Sequence, residues 1–252
     1  MNKLLICVTS FNRLPYTQLC LSALENLENI TFDCIISDNN SKQEVKDWLK
    51  QYDGKKLPNG STFKVLFLDK NYGVGKALNK ALALKQTDQH FMKLDNDTIL
   101  PSIEVPGKIT KEDINKNCLF EMVDCLENSI EPVSCIGALL FDRNRSTKAP
   151  AKIIETTTGN TYLTEDFTTS HINGACQLYK NTVINSLCRF SEKFIYGYED
   201  STMARSANKF GLGLAAEWLL IKHIDDLQLP DALEILNIKK ESLARRMQVP
   251  SD

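Results

Sequence analysis

The feature that most constrains the fold is a change of hydrophobic period, repeated along the first hundred residues. Short apolar runs at Lys3–Thr9, Thr31–Ser37, Phe63–Leu68 and His90–Leu94 alternate with segments whose apolar residues recur at helical spacing. The first such segment begins beside Pro15 and carries Tyr16, Cys20, Ala23, Leu24 and Leu27 on one side; the others cover Ser41–Tyr52 and Val74–Lys85. A strand that is apolar on successive residues has to be buried on both faces, so helices must cover both sides of its sheet. Strand–helix alternation therefore predicts an α/β domain with a mostly parallel central sheet, right-handed crossovers and flanking helices.

After Leu100 the rhythm changes. Pro101–Asn117, with Pro101, Pro106 and Gly107, reads as an irregular connection. The pattern then predicts a helix over Leu119–Ser129, a strand over Val133–Phe141, a polar loop at Asp142–Ala149 and an edge strand at Ile153–Thr158. A strand at His171–Tyr179, a short helix near Asn181–Leu187, a helix at Glu199–Phe210 and a strand at Leu214–His223 follow. A final helix at Asp231–Gln248 has Leu233, Leu236, Leu243 and Met247 on one side and Lys239, Lys240, Arg245 and Arg246 elsewhere. No internal repeat or low-complexity linker interrupts the chain. These readings divide it into one domain over 1–227, made of halves 1–100 and 101–227, and a helical extension over 228–252.

Charge and composition exclude some classes of function. Lys and Arg total 30 against 32 Asp and Glu, a net charge of −2, so nucleic acid is not a favoured partner. No apolar run approaches the roughly 18 residues of a spanning helix, and the N-terminal run is too short for a signal segment. The expectation is a soluble cytoplasmic protein, with peripheral membrane contact open to the basic face of the C-terminal helix. The eight cysteines form no CxxC pair and most sit in apolar runs, as expected of reduced, buried thiols.

The strongest local chemical signal is Lys93-Leu94-Asp95-Asn96-Asp97 at the end of the fourth apolar run. Two carboxylates at a strand's C-terminal edge can both turn into the crevice where α/β sheets bind ligands. Their mutual repulsion is relieved by a divalent cation, alone or with a diphosphate, and hard oxygen donors suit such ions. An acidic turn of Asp and Asn is the plain structural alternative. Further polar clusters follow the other strands: Thr9-Ser10-Phe11-Asn12-Arg13, Ser37-Asp38-Asn39-Asn40-Ser41 and Asn71-Tyr72-Gly73-Val74-Gly75-Lys76. The last contains GxG but lacks the third glycine of a dinucleotide fingerprint, since position 78 is Leu. Much later come Gly197-Tyr198-Glu199-Asp200 and His223.

Taken in this order, these motifs resemble the inverting family 2 glycosyltransferases of the GT-A fold, over roughly residues 3–225. The resemblance implies transfer of a sugar from a nucleotide-diphosphate donor, UDP-sugar above dTDP or GDP, to a hydroxyl of a glycan, lipid-linked or other acceptor. It implies that Asp38 contacts the base, with Thr9, Ser10 and Arg13 in the same pocket, and that Gly73 and Lys76 border the nucleotide. Asp95 and Asp97 would hold Mn2+ or Mg2+ against the diphosphate, with Asp95 also facing ribose and sugar and His223 completing the metal site. Asp200 resembles the base that takes the acceptor proton and Glu199 an acceptor contact, or the two exchange roles. Gly174 would line the floor under the donor sugar, and Trp218 could stack on the acceptor. For Asp38 a helix cap, for Lys76 a solvated helix position and for Trp218 a core position are the competing readings. Two other functions compete. A sugar-1-phosphate nucleotidyltransferase would have a glycine-rich first loop, and Thr9–Arg13 has no glycine. A non-catalytic nucleotide-sugar-binding module would not need all of these acidic residues together.

Overall fold

Strand β1 (Leu4–Ser10) is buried on every residue and distributes its side chains to two separate cores. Leu4, Ile6 and Val8 enter one cluster and Leu5 and Cys7 the other, as the period-2 alternation of a strand requires. The first core is completed by α1 (Leu14–Glu25), α2 (Gln43–Leu49) and α4 (Cys118–Asn128), through Tyr16, Leu21, Leu24, Leu49, Met122 and Leu126. The second is completed by α3 (Val74–Leu82), α5 (Asn181–Leu187) and α6 (Glu199–Ala207), through Leu78, Ala81, Val183, Ile184, Met203 and Ala207. The sheet is thus covered on both faces, as the apolar runs demanded. The computed structural model describes residues 3–140, 149–170, 172–187, 189–193, 195, 197 and 199–223, with the backbone only at 140, 187, 218, 220, 222 and 223.

The remaining strands are β2 (Asp33–Asp38), β3 (Thr62–Phe67), β4 (His90–Asp95), β5 (Thr98–Ile99), β6 (Val133–Leu140), β7 (Ala151–Glu155), β8 (Thr161–Asp166), β9 (Cys176–Tyr179) and β10 (Leu212–His223). They make a ten-stranded sheet in the order β3-β2-β1-β4-β9-β6-β10-β8-β7, with β5 paired to β10 off this path. The first four are mutually parallel, as are β6 and β10. Strand β9 runs antiparallel between β4 and β6 and so joins the two parallel groups into one sheet.

Three boundaries differ from the sequence expectation. The edge strand expected at Ile153–Thr158 lies at Ala151–Glu155, and a second strand, β8, returns beside it with Gly159 at φ 87° in the turn. Thr161 and Leu163 of β8 are exposed while Tyr162, Thr164 and Glu165 are buried, and with so many polar residues no apolar run announces the strand. The strand expected from His171 begins only at Cys176, because Asn173 Oδ1 accepts from the Ala175 N–H at 3.0 Å and bends the chain there. Pro101–Asn117 is irregular as expected, apart from a turn at Lys111–Asp113 closed by a Thr110–Asp113 capping box.

One polar hub holds the β7–β8 hairpin to α4. Asp124 is buried and accepts from Asn128, Thr158, Asn160 and the Tyr162 hydroxyl at 2.7–2.9 Å. Burial pushes its carboxyl up, but these hydrogen bonds outweigh it and hold it below the usual aspartate value. The seven described cysteines are free and buried, in keeping with the reduced thiols expected. His90 accepts the Asn181 N–H at its Nδ1 and is a structural residue; Cys188, His171, Asp142–Lys148 and the helix expected at Asp231–Gln248, with the whole extension 228–252, lie outside the described residues.

Candidate active site

Strand register aligns the first candidate residues at one sheet edge. Ser10 sits opposite Asp38 on β2, and Thr9 opposite Asp95 on β4, so three neighbouring strands end together in the crevice that parallel α/β sheets use for ligands. Beyond β1 the chain turns through Asn12 and Arg13, both left-handed at φ 53° and 54°, before α1 begins with Pro15 in its first turn. That turn is pinned from β2: the Asn12 N–H donates to Ser41 Oγ at 2.8 Å, and Asn12 Oδ1 accepts from the Lys42 N–H at 2.8 Å. The Asn39 N–H reaches the Ser10 carbonyl at 2.7 Å.

Asp38 is fully buried, and its carboxylate accepts from both the backbone N–H and the hydroxyl of Ser41. Desolvation is the larger influence and raises its pKa; the Ser41 hydrogen bonds and the charge of Lys46 act against it. The Ser10 hydroxyl turns toward α1, 3.5 Å from Thr17 Oγ1, which also accepts from Asn96 Nδ2 at 2.9 Å. Thr17 therefore anchors the middle residue of the Asp95-Asn96-Asp97 turn. Its place within a helix gives no sequence sign of this.

The two carboxylates of that turn each face a buried cation. Arg13 Nη1 donates to Asp97 Oδ2 at 2.6 Å with both side chains almost fully buried, and its guanidinium lies 4.0 Å from the Tyr16 ring centroid. Lys93 Nζ, also buried, donates to Asp95 Oδ1 at 2.6 Å and to the Gly174 carbonyl. Arg13 is thus placed beside the acidic pair. His223, at the end of β10, lies in register with Thr98 and so brings its backbone next to Asp97. Only the backbones of His223 and Trp218 fall within the described residues.

The second acidic pair opens α6. Glu199 is buried and its Oε2 has no hydrogen-bond partner among the described residues. Burial above all, then the charges of Asp200 and Asp95, push its carboxyl up to about 7 against the opposing pull of Lys93. Asp200 Oδ1 accepts from the Ser201 N–H at 2.6 Å. Its other oxygen occupies the space a side chain would need at Gly174, since a Cβ there would lie 1.7 Å from Oδ2. The bend before β9 and the start of α6 are therefore in direct contact, and only glycine permits it. The Lys93 ammonium is held well above the ordinary lysine range because Asp95, Glu199 and Asp200 outweigh its desolvation.

Gly73 and Gly75 allow a close approach, and the partner is the chain itself. A Cβ at Gly73, at φ 85°, would lie 2.6 Å from the Ile195 backbone, and one at Gly75 would lie 1.9 Å from the Ser191 carbonyl. The Val74 N–H donates to the Ile195 carbonyl at 2.9 Å, so this loop ties α3 to the segment leading into α6. Lys76 stands over the Tyr72 ring at 4.6 Å, with Lys70 and Lys80 about the same ring.

Comparison with known proteins bears on the same stretch. Residues 5–108, which carry β1 to β4 and the Asp95–Asp97 turn, match the model of glycosyl transferase family 2. The described fold extends the likeness beyond it, to GT-A glycosyltransferases. Residues 1–349 of TarS from S. aureus align at a TM-score of 0.62 and 15% identity, over 93% of this chain and 64% of that one. The mannosyltransferase PcManGT from Pyrobaculum calidifontis, in complex with GDP-Man and Mn2+, aligns at 0.64 and 12%, over 99% and 65%. The same TarS fragment in complex with UDP aligns at 0.61 and 14%, over 98% and 72%. The chain thus spans just under two thirds of the first two structures. No curated protein sequence matches it. Among the described residues no helix is long and apolar enough to cross a membrane.

Proposed function

We propose that this chain is an inverting glycosyltransferase that moves a sugar from a nucleotide diphosphate, with UDP as the favoured nucleotide, to an acceptor hydroxyl. One observation carries the reading: the buried Lys93 ammonium donates to Asp95 at the end of β4 and to the carbonyl of Gly174, which packs against Asp200 of α6. A direct displacement needs acids on the donor side and a base on the acceptor side, and Lys93 and Gly174 bring Asp95 and Asp200 to one place. The TarS and PcManGT structures, with UDP and with GDP-Man and Mn2+, support a nucleotide-sugar donor.

In this reading Asp38 accepts the imide N–H of the base, and its raised pKa makes it a strong acceptor in a dry pocket. Thr9, Ser10, Arg13, Gly73 and Lys76 border the nucleotide, and Gly174, packed against Asp200, lines the floor beneath the sugar. Asp95 and Asp97 have the hard oxygen donors that Mn2+ or Mg2+ prefers, and His223, whose backbone pairs with Thr98, is the candidate third ligand. Among the described residues no three His, Cys, Asp or Glu side chains stand together as a ready-made ligand set. Asp95 and Asp97 would hold such a cation against the donor diphosphate. When bound, such an ion stabilises the charge that develops on the leaving phosphate.

Asp200 takes the acceptor proton as the hydroxyl oxygen bonds to the anomeric carbon and the bond to the diphosphate oxygen breaks, its electron pair leaving with the nucleotide. Glu199, raised to about 7, is held close to its protonated form and is suited to donate a hydrogen bond to the acceptor, which gives the base role to Asp200. Trp218 lies within β10 and is a candidate acceptor contact.

Calorimetric titration with UDP, dTDP and GDP, with and without Mn2+, tests the donor site. Asp97→Asn is the control, because it removes a charge but leaves an oxygen for Arg13. UDP binding that requires Mn2+ and weakens at least about tenfold in the variant is the expected result. Absence of binding by every nucleotide under every condition would overturn the transferase reading.

A further inference from the structure

Lys93 is a buried charged group beside the candidate acids to which the proposed reaction gives no part. A lysine with 1% side-chain exposure is costly to fold unless its ammonium is fully paired. Here the pairing spans the site. The ammonium donates to Asp95 Oδ1 at 2.6 Å on the donor side and to the Gly174 carbonyl on the other. Gly174 is in turn pressed against the Asp200 carboxylate, with no room between them for a methyl group. A shift of the Gly174 carbonyl is therefore a shift of Asp200.

Resting on the transferase reading above, we propose that Lys93 is a positioning residue: it fixes Asp95 and, through the Gly174 carbonyl, sets Asp200 at the acceptor hydroxyl. The same charge allows the acids of β4 and of α6 to stand in one dry crevice. Lysine suits the task because it is a compact point charge on a slender stem that reaches two oxygens on different strands; the planar fork of arginine is wider. Neither oxygen is on the substrate, so the effect of Lys93 reaches the reaction only through the groups it holds.

The test compares wild type with Lys93→Met, which keeps the stem and removes the ammonium, and Lys93→Ala, which opens the space it filled. Turnover is read as UDP released from a UDP-sugar to water, which requires no knowledge of the acceptor, alongside UDP affinity by calorimetry and melting by circular dichroism. In Lys93→Met, kcat should fall on the order of 10²-fold, the usual consequence of misplacing a reacting group by about 1 Å, while the donor KM moves less than about fivefold. In Lys93→Ala, added ethylammonium should restore at least about tenfold of the lost rate and ethanol should not, because charge rather than volume is required. Should the methionine variant lose its melting transition, Lys93→Gln, which keeps a neutral N–H donor in the same space, carries the comparison with the same expected loss.

A folded variant with kcat within about threefold of wild type would overturn the proposal. So would an alanine variant that ethylammonium does not rescue, or one that ethanol rescues equally well. Failure of the wild-type protein to bind UDP or release it is a different result, and refutes the transferase reading itself.

Discussion

Replacing Gly174 by alanine places a methyl group where Asp200 already stands. The new Cβ would lie 1.7 Å from Asp200 Oδ2, 2.5 Å from Cγ and 2.7 Å from Cβ, whereas ordinary contact begins at 3.4 Å. Rotating the Asp200 side chain cannot relieve all three contacts, because its Cβ moves only with the backbone. The carboxylate must therefore retreat by about 1.7 Å, and a displacement of about 1 Å at a reacting group costs on the order of 10²-fold in rate. We expect kcat for UDP release to fall by at least that factor. Affinity for UDP should stay within about twofold, because Asp38 and the ends of β1 and β2 are not in contact with Gly174. Overpacking should lower stability by about 1–3 kcal/mol, measured by urea denaturation. A folded alanine variant with wild-type kcat would refute Asp200 as the base. A loss of UDP affinity matching the loss of rate would show that Gly174 serves the nucleotide instead.

Three further outcomes follow from the buried charges. Arg13→Ala leaves Asp97 buried without its guanidinium and should cost about 3–5 kcal/mol in urea denaturation; a cost below about 1 kcal/mol would mean that the pair is not formed in solution. Asp124→Ala strips the hub from the β7–β8 hairpin and should cost on the order of 3 kcal/mol. Because the Asp124 pKa is lowered on folding, its contribution is complete above 3.8 and is lost as pH falls through the folded value, so the wild-type and variant melting temperatures should converge in acid. Glu199 is raised from 4.5 to about 7, so folding binds its proton and the associated stability is lost as pH rises through 7; Glu199→Gln should melt higher than wild type at pH 8 and no higher at pH 4.5. Equal melting shifts at both pH values would refute that assignment.

The strand–helix alternation, the two-sided burial of β1 and the reduced thiols were legible in the chain because each depends on local period and side-chain polarity. The Asp95-Asn96-Asp97 turn was legible for the same reason, since an apolar strand stops there and two acids follow. Strand β8 was not, because Thr161, Thr164, Glu165 and Asp166 interrupt its apolar residues and leave no continuous apolar run. Gly73 and Gly75 were visible as a GxG, but not their contacts with Ile195 and Ser191, more than a hundred residues away.

The sequence by itself determined the class of fold, the polar strand ends and the acids placed at them. Only the tertiary structure decided what those acids face: Arg13 against Asp97, Lys93 between Asp95 and the Gly174 carbonyl, and Gly174 against Asp200. The reason is physical. Hydrophobic period is a property of neighbouring residues, whereas the cost of burying a charge depends on which opposite charge arrives beside it, and that is set by strand order and register across the whole sheet.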